Sequence, residues 1–128
     1  MPDAATRTER VPVGVDPTRA SIARVYDAFL LGKDNYEIDR EVLHKVQKAA
    51  PEAQDLAFEN RGFLIRACRF LASQTGITQF LDCGSGLPTA ENTHQVVQRI
   101  NPEIKVVYVD NDPVVLAHAH ELLQSTDA

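Results

Sequence analysis

The sequence predicts an α/β chain in which a helical N-terminal cap precedes one βαβα unit. Three observations predict it. Apolar residues between positions 18 and 75 recur at helical spacing, and two short β-branched runs follow them. A glycine-rich turn and another helical stretch lie between those runs. The 128 residues are room for one domain of ordinary size. With 44% hydrophobic and 24% charged residues, the composition is that of a folded globular chain rather than a disordered one.

Residues 1–17 contain Pro2, Pro12 and Pro17 and no apolar periodicity, so they read as a disordered tail. From Thr18 the pattern changes. Ile22, Val25, Tyr26, Phe29 and Leu30 form the stripe of an amphipathic helix, and Gly32 is placed to end it in a left-handed cap. The polar loop Lys33-Asp34-Asn35-Tyr36 leads to a second helix, with Ile38, Val42, Val46 and Ala49 on one face until Pro51 intervenes. A third helix is expected from Glu52 to Gln74, burying Leu56, Phe63, Leu64, Ala67, Phe70 and Leu71, with Gly62 inside it and Gly76 as its stop.

Residues 76–128 read as the α/β part. Ile77–Cys83 is a strand entering the tight loop Gly84-Ser85-Gly86-Leu87-Pro88, and Thr89–Ile100 is helical. Ile104–Asp110 is the clearest strand. Its Val106, Val107 and Val109 suit burial on both faces of a parallel sheet. Asp112-Pro113 matches an N-cap followed by proline at the first helical position, opening a helix to Gln124.

Charge and cysteine content narrow the function. Thirteen Lys+Arg against eighteen Asp+Glu give a net charge of −5, which argues against a nucleic-acid partner. No apolar run approaches the ~20 residues of a membrane span, and Met1–Pro17 lacks the apolar core of a secretory signal. Cys68 and Cys83 make neither a disulfide framework nor a zinc site, so a cytoplasmic location is expected. His118 and His120, two apart on a helix, do not share a face and read as solvent-facing. His44 and His94 have no metal-spaced partner, and no metal is expected. Cys83 reads as a strand-end filler, and Arg61, Arg66 and Arg69 as a solvated helix face.

The chemistry-bearing pattern is Asp82-Cys83-Gly84-Ser85-Gly86 after one strand, with Asp110 ending the next. Glycines let a ligand approach the backbone, and the following helix turns its N–H groups toward the loop. Asp110 lies 24 positions beyond Gly86, near the ~20-residue separation at which a strand-end acid reaches a ribose diol. The pattern points to a nucleoside-containing ligand. Its alternative is a plain strand–turn–helix whose glycines serve geometry alone. NAD fits less well, because Thr89 stands where the dinucleotide fingerprint has a third glycine or alanine, and no Gly-Lys-Ser/Thr of a P-loop is present.

Several segments resemble the bacterial S-adenosyl methyltransferase family. They are Ala23–Asp27, Gly32–Tyr36, Asn60-Arg61, Gln79–Thr89 and Val107–Leu116. The resemblance covers about residues 18–124 and implies a Rossmann-like, S-adenosyl-L-methionine-dependent methyltransferase sheet behind a helical cap. It implies that Asp82, Gly84, Ser85 and Gly86 surround the methionine part of the cofactor, that Asp110 holds the ribose hydroxyls and that Asn111 adjoins the adenosine. Tyr26, Lys33 and Asn35 are further cofactor candidates, Tyr26 or Tyr36 lying against the sulfonium, although Tyr26 also fits the first helix's packing stripe. No catalytic residue beyond cofactor positioning is implied.

Two departures stand out. Leu31 occupies a position where a second glycine is expected before Gly32. Family members are about twice as long, so the α/β part is expected to be a truncated Rossmann-like unit with unpaired sheet edges. The expected function is methyl transfer to an unidentified acceptor, with weak activity and self-association or a complementary chain as partner. A non-catalytic cofactor-binding module and a helical interaction protein using residues 18–75 are the alternatives.

Overall fold

The computed structural model of the protein describes residues 11, 13–88 and 91–124. Three helices, α1 (Ile22–Phe29), α2 (Glu37–Ala49) and α3 (Ala53–Gln74), precede β1 (Gln79–Cys83), α4 (Thr93–Gln98), β2 (Lys105–Val109) and α5 (Pro113–Gln124). Most of the expected tail, together with Thr89 and residues 125–128, lies outside the described residues. Residues 15–17 depart from the tail expectation. Val15 is buried, and the Asp16 carbonyl accepts a 2.9 Å bond from Arg24.

The cap is held by charged groups that periodicity alone would send to solvent. In α1 the buried residues are Arg24, Asp27, Ala28 and Phe29, whereas the expected stripe members Ile22 and Tyr26 are exposed. Arg24 Nε donates to Asp39 Oδ2 at 2.9 Å, its Nη2 donates to the Arg19 carbonyl, and its guanidinium lies 5.1 Å from the Tyr36 ring centroid. Asp39 also accepts the backbone N–H groups of Ser21 and Tyr36. Stranding one charge of such a buried pair costs about 3–5 kcal/mol, so the two residues hold α1 and α2 together. On α2 the buried apolar residue is Leu43 rather than the Val46 edge of the expected face.

A Schellman turn closes α1. Gly32 N–H bonds the Asp27 carbonyl at 2.8 Å and Leu31 N–H bonds the Ala28 carbonyl at 3.1 Å. The left-handed residue is Leu31, at φ 58°, and not Gly32 as the sequence predicts. Gly32 is required for a different reason, since a Cβ there would overlap the Asp27 carboxylate. That carboxylate accepts the Asp34 N–H (3.0 Å) and Asn35 Nδ2 (2.9 Å). Burial pushes the Asp27 carboxyl above its usual range, against the opposing pull of the Asn35 bond.

Helix α3 is unbroken through Gly62, but its buried face is Ala57, Leu64, Ile65, Cys68 and Ala72. Leu56, Phe63 and Phe70, expected inside, are exposed. Ala57 joins Ala28, Phe29 and Leu43 in a first core. Cys68 joins Val96, Val97, Ile104, Phe80 and Val106 in a second. Burial raises the Cys68 thiol. The strands pair in parallel, Gln79 opposite Lys105 through Cys83 opposite Val109. One sheet face, with Phe80, Asp82, Val106 and Tyr108, is half-buried. On the other, Leu81 (66% exposed), Cys83, Val107 and Val109 remain uncovered, so the expected two-sided burial and the filler role of Cys83 do not hold among the described residues.

Helix α4 begins at Thr93, four residues later than predicted, because Asn92 caps it and donates its N–H to Gln95 Oε1 at 2.8 Å. Helix α5 ties the cap to the sheet. His118 is buried with Nδ1 3.7 Å from Asp34 Oδ1, which corrects its solvent-facing assignment, and Ser21 Oγ donates to Asp112 Oδ2 at 3.4 Å.

Leu31→Gly relieves a left-handed side chain that is 75% exposed, against the extra entropy glycine carries in the unfolded chain. Urea denaturation should show a gain of about 0.5–1 kcal/mol, while Gly32→Ala, which displaces Asp27, should lose about 1–3 kcal/mol. A destabilised Leu31→Gly protein would contradict this account of the turn.

Candidate functional site

The parallel register brings the C-terminal ends of β1 and β2 side by side, so the loop after one meets the acid after the other. Gly84 and Ser85 N–H groups both donate to the Val109 carbonyl, at 2.7 and 3.3 Å. Gly86 N–H donates to Asp110 Oδ2 at 3.0 Å, while Asp110 Oδ1 accepts the Asp112 N–H at 2.9 Å. Asp112 Oδ1 accepts the Val114 N–H at 2.9 Å, which is the N-cap the sequence predicts. Each Asp110 oxygen keeps a lone pair for a further donor, since an ionised carboxylate has about four acceptor sites. Gly84 and Gly86 have φ of 68° and 71°, and a Cβ at either would point into open space. Only glycine adopts this backbone readily, and the space is open to a ligand.

On the other side of the loop a cleft of about 410 Å3, counted to its open mouth, is lined by Asp82, Ser85, Gly86, Asn92, Thr93 and His94, together with Arg61, Leu87, Pro88, Tyr108 and Ala119. Asp82 projects from the covered sheet face, and its Oδ2 accepts Thr93 Oγ1 at 2.8 Å. Arg61 reaches in from α3 and donates from Nη2 to the Glu91 carbonyl. Tyr108 Oη accepts the His94 N–H at 2.8 Å and lies 2.6 Å from His94 Nδ1. A phenol that accepts the amide proton can still donate its own to Nδ1, a pairing that puts the proton of the neutral His94 ring on Nε2. Burial lowers the His94 pKa and raises that of Tyr108, so the dyad is neutral near pH 7.

The sequence-predicted residues thus fall into two groups. Asp82, Ser85, Gly86 and Gly84 converge on the loop, and Asp110 meets them there, with Asn111 exposed beside it. The three cap candidates do not join them. Tyr26 Oη accepts Asn60 Nδ2 at 3.0 Å and lies 3.5 Å from the Ala57 carbonyl, so it is pinned to α3. Asn35 is buried, with Nδ2 on Asp27 and the Gly32 carbonyl and Oδ1 on Arg40, and it staples its own loop. Lys33 is exposed and makes no described contact, and the face of Tyr36 is taken by Arg24. Sequence reasoning missed Arg61, His94 and Tyr108 as cleft residues. Asn60-Arg61 stood among the family-like segments, but its helical neighbours Arg66 and Arg69 suggested a solvated face. Among the described residues no His/Cys/Asp/Glu group could hold a metal, and no helix is long and apolar enough to cross a membrane.

The dyad has a pH signature. An unfolded histidine titrates near pH ~6.5, and the folded His94 titrates lower. Its contribution to stability is therefore complete above that pH and is lost as the pH falls below it. Chemical denaturation at pH 7.5 and 5.5 should show a larger loss for the native chain than for His94→Gln. Equal losses would contradict the neutral, half-buried ring.

Comparison with known proteins agrees with this geometry. A candidate methyltransferase from Thermobifida fusca superposes with a TM-score of 0.82 at 54% identity, over 88% of this chain and 42% of that one. A DUF574 family protein from Streptomyces avermitilis gives 0.79 at 42% identity, over 84% and 41%. The chain spans less than half the length of either structure. No curated protein matches. The sequence profile of the S-adenosyl methyltransferase family matches residues 8–128, and the chain belongs to that family.

Proposed function

We propose that the protein binds S-adenosyl-L-methionine across the Gly84–Gly86 loop and serves methyl transfer to an unidentified acceptor. The observation that carries this reading is the Gly86 N–H to Asp110 bond at 3.0 Å, which sets a ribose-binding acid against a glycine loop whose Cβ positions are open. The residues fit the cofactor in two parts. Asp110 and Asn111 suit the ribose and adenosine, and the cleft beside Asp82 suits the methionine end. We read β1–α4–β2–α5 as the first βαβα unit of a Rossmann-like sheet, which the superpositions support.

The cofactor, when bound, supplies a methyl group already activated by its sulfonium. The chain's own residues then have positioning to do. Asp110, fixed by two backbone donors, orients the ribose without reorganising. The Gly84 and Gly86 backbone allows close approach, and the Leu87 and Pro88 wall excludes water from part of the cleft. None of these roles needs a proton-transfer group.

Calorimetry with S-adenosylmethionine, S-adenosylhomocysteine and NAD tests the reading. The first two should bind more tightly than NAD. Asp110→Ala should lose about 1.5–3 kcal/mol for each charge-assisted ribose bond removed. Tighter NAD binding, or unchanged affinity in Asp110→Ala, would overturn it.

A second reading, cofactor binding without turnover by this chain alone, is favoured by the uncovered sheet face of Leu81, Val107 and Val109. Such a face supports self-association or a complementary chain as partner. Light scattering should show mass rising with concentration. A monodisperse monomer melting cooperatively at about 45–65 °C, with measurable turnover, would contradict both the second reading and the association.

A further inference from the structure

Helix α3 carries a second apolar stripe that no other described element covers. Leu56, Phe63 and Phe70 are 69%, 63% and 60% exposed, and they recur every seven residues along a helix of 22. At 3.6 residues per turn that spacing keeps them on one flank, beside the face that buries Ala57, Leu64 and Cys68. Asn60 and Ala67, four positions after Leu56 and Phe63, fall on the same flank, so large and small side chains alternate along it. The strip runs about 21 Å from Leu56 to Phe70. Its pattern is that of a two-helix seam.

Charge and side-chain size select the occupant. Glu59 and Arg66 border the stripe, both exposed, and neither has an ion-pair partner among the described residues. An antiparallel second copy sets each Glu59 against the Arg66 of the other, twice by symmetry. In that register Leu56 meets the second copy's Ala67, Phe63 meets its Asn60 and Phe70 meets its Ala53. Every layer is then large against small. Sliding the copies by seven residues sets Arg66 against Arg66 in one direction and Glu59 against Glu59 in the other. A parallel copy stacks Phe63 on Phe63 and leaves Glu59 and Arg66 two turns apart.

We propose that α3 is a self-docking surface on which two copies of this chain pair antiparallel, with Glu59 of each on Arg66 of the other. Helix α3 packs on the covered side of the sheet, so this surface is separate from the open face of Leu81, Val107 and Val109. The pairing does not depend on the cofactor reading. One helix from each copy provides less than the about 800 Å2 per partner of a stable interface, so the dimer is a reversible one.

Sedimentation velocity on the full chain, from micromolar to near-millimolar concentration, tests the pairing. The native chain should pass from monomer to dimer, while Phe63→Glu should stay monomeric with unchanged helical circular dichroism. Glu59→Arg and Arg66→Glu each turn two attractive pairs into repulsive ones, and each should weaken the dimer about tenfold. An equimolar mixture of these two variants should recover the native affinity, because every arginine then faces a glutamate. A native chain that stays monomeric throughout overturns the proposal. So does association that all three variants leave intact, which assigns it to the sheet face. Weakening that the mixture does not repair also overturns it, and assigns the stripe to a different polypeptide.

Discussion

The candidate site depends on the parallel pairing of two five-residue strands in one register. Because Cys83 and Val109 are opposite one another, the glycine turn and Asp110 emerge at the same height. The Val109 carbonyl can then accept from Gly84 and Ser85 while the Asp110 carboxylate accepts from Gly86. A parallel pair needs a crossover, and α4 supplies it while burying Val96 and Val97 beneath the strands. A slip of one residue would turn Asp82 to the uncovered face and separate it from Thr93. Fold and site are set by one register.

Carboxylates serve the same purpose elsewhere in the chain. Asp27, Asp39, Asp110 and Asp112 each accept backbone N–H groups that no helix or strand satisfies. These are loops and helix starts where the chain turns, and an unpaired buried donor there would cost more than the bond returns. The acidic balance of the sequence is therefore partly architectural. Arg24 is the counterpart, a cation that joins the segment before α1 to α2 through Asp16, Arg19 and Asp39. Through Ser21–Asp112 and Asp34–His118, the cap also touches the start and the body of the helix that follows Asp110.

Element order and the central loop were legible in the sequence because they rest on local rules. The Gly84–Gly86 turn, the Asp112-Pro113 start and the β-branched run within Lys105–Val109 each carry their own signal. Burial was less legible. Leu56, Phe63 and Phe70 follow a helical period as faithfully as Ala57, Leu64 and Cys68, and periodicity cannot say which of two apolar stripes meets a partner. Arg24, Asp27 and Asp39 were hidden because a buried charge is recognisable only through its partner, which lies 8 to 15 positions away. His94 and Tyr108 were hidden for the same reason, 14 positions apart across the crossover. Asn35 became a ligand candidate through the family resemblance alone; a polar residue in a loop serves either a ligand or the loop itself, and Asn35 serves the loop.

The account turns on whether a nucleoside cofactor occupies the junction of the glycine loop and Asp110. Amide chemical shifts of the isotopically labelled chain, followed by NMR during titration with S-adenosylhomocysteine, test it most directly. The account predicts saturable shifts concentrated at Gly84, Ser85, Gly86, Asp110 and Asn111. Shifts confined to the cap helices, or none at the loop at ligand concentrations that saturate calorimetric binding, would contradict it.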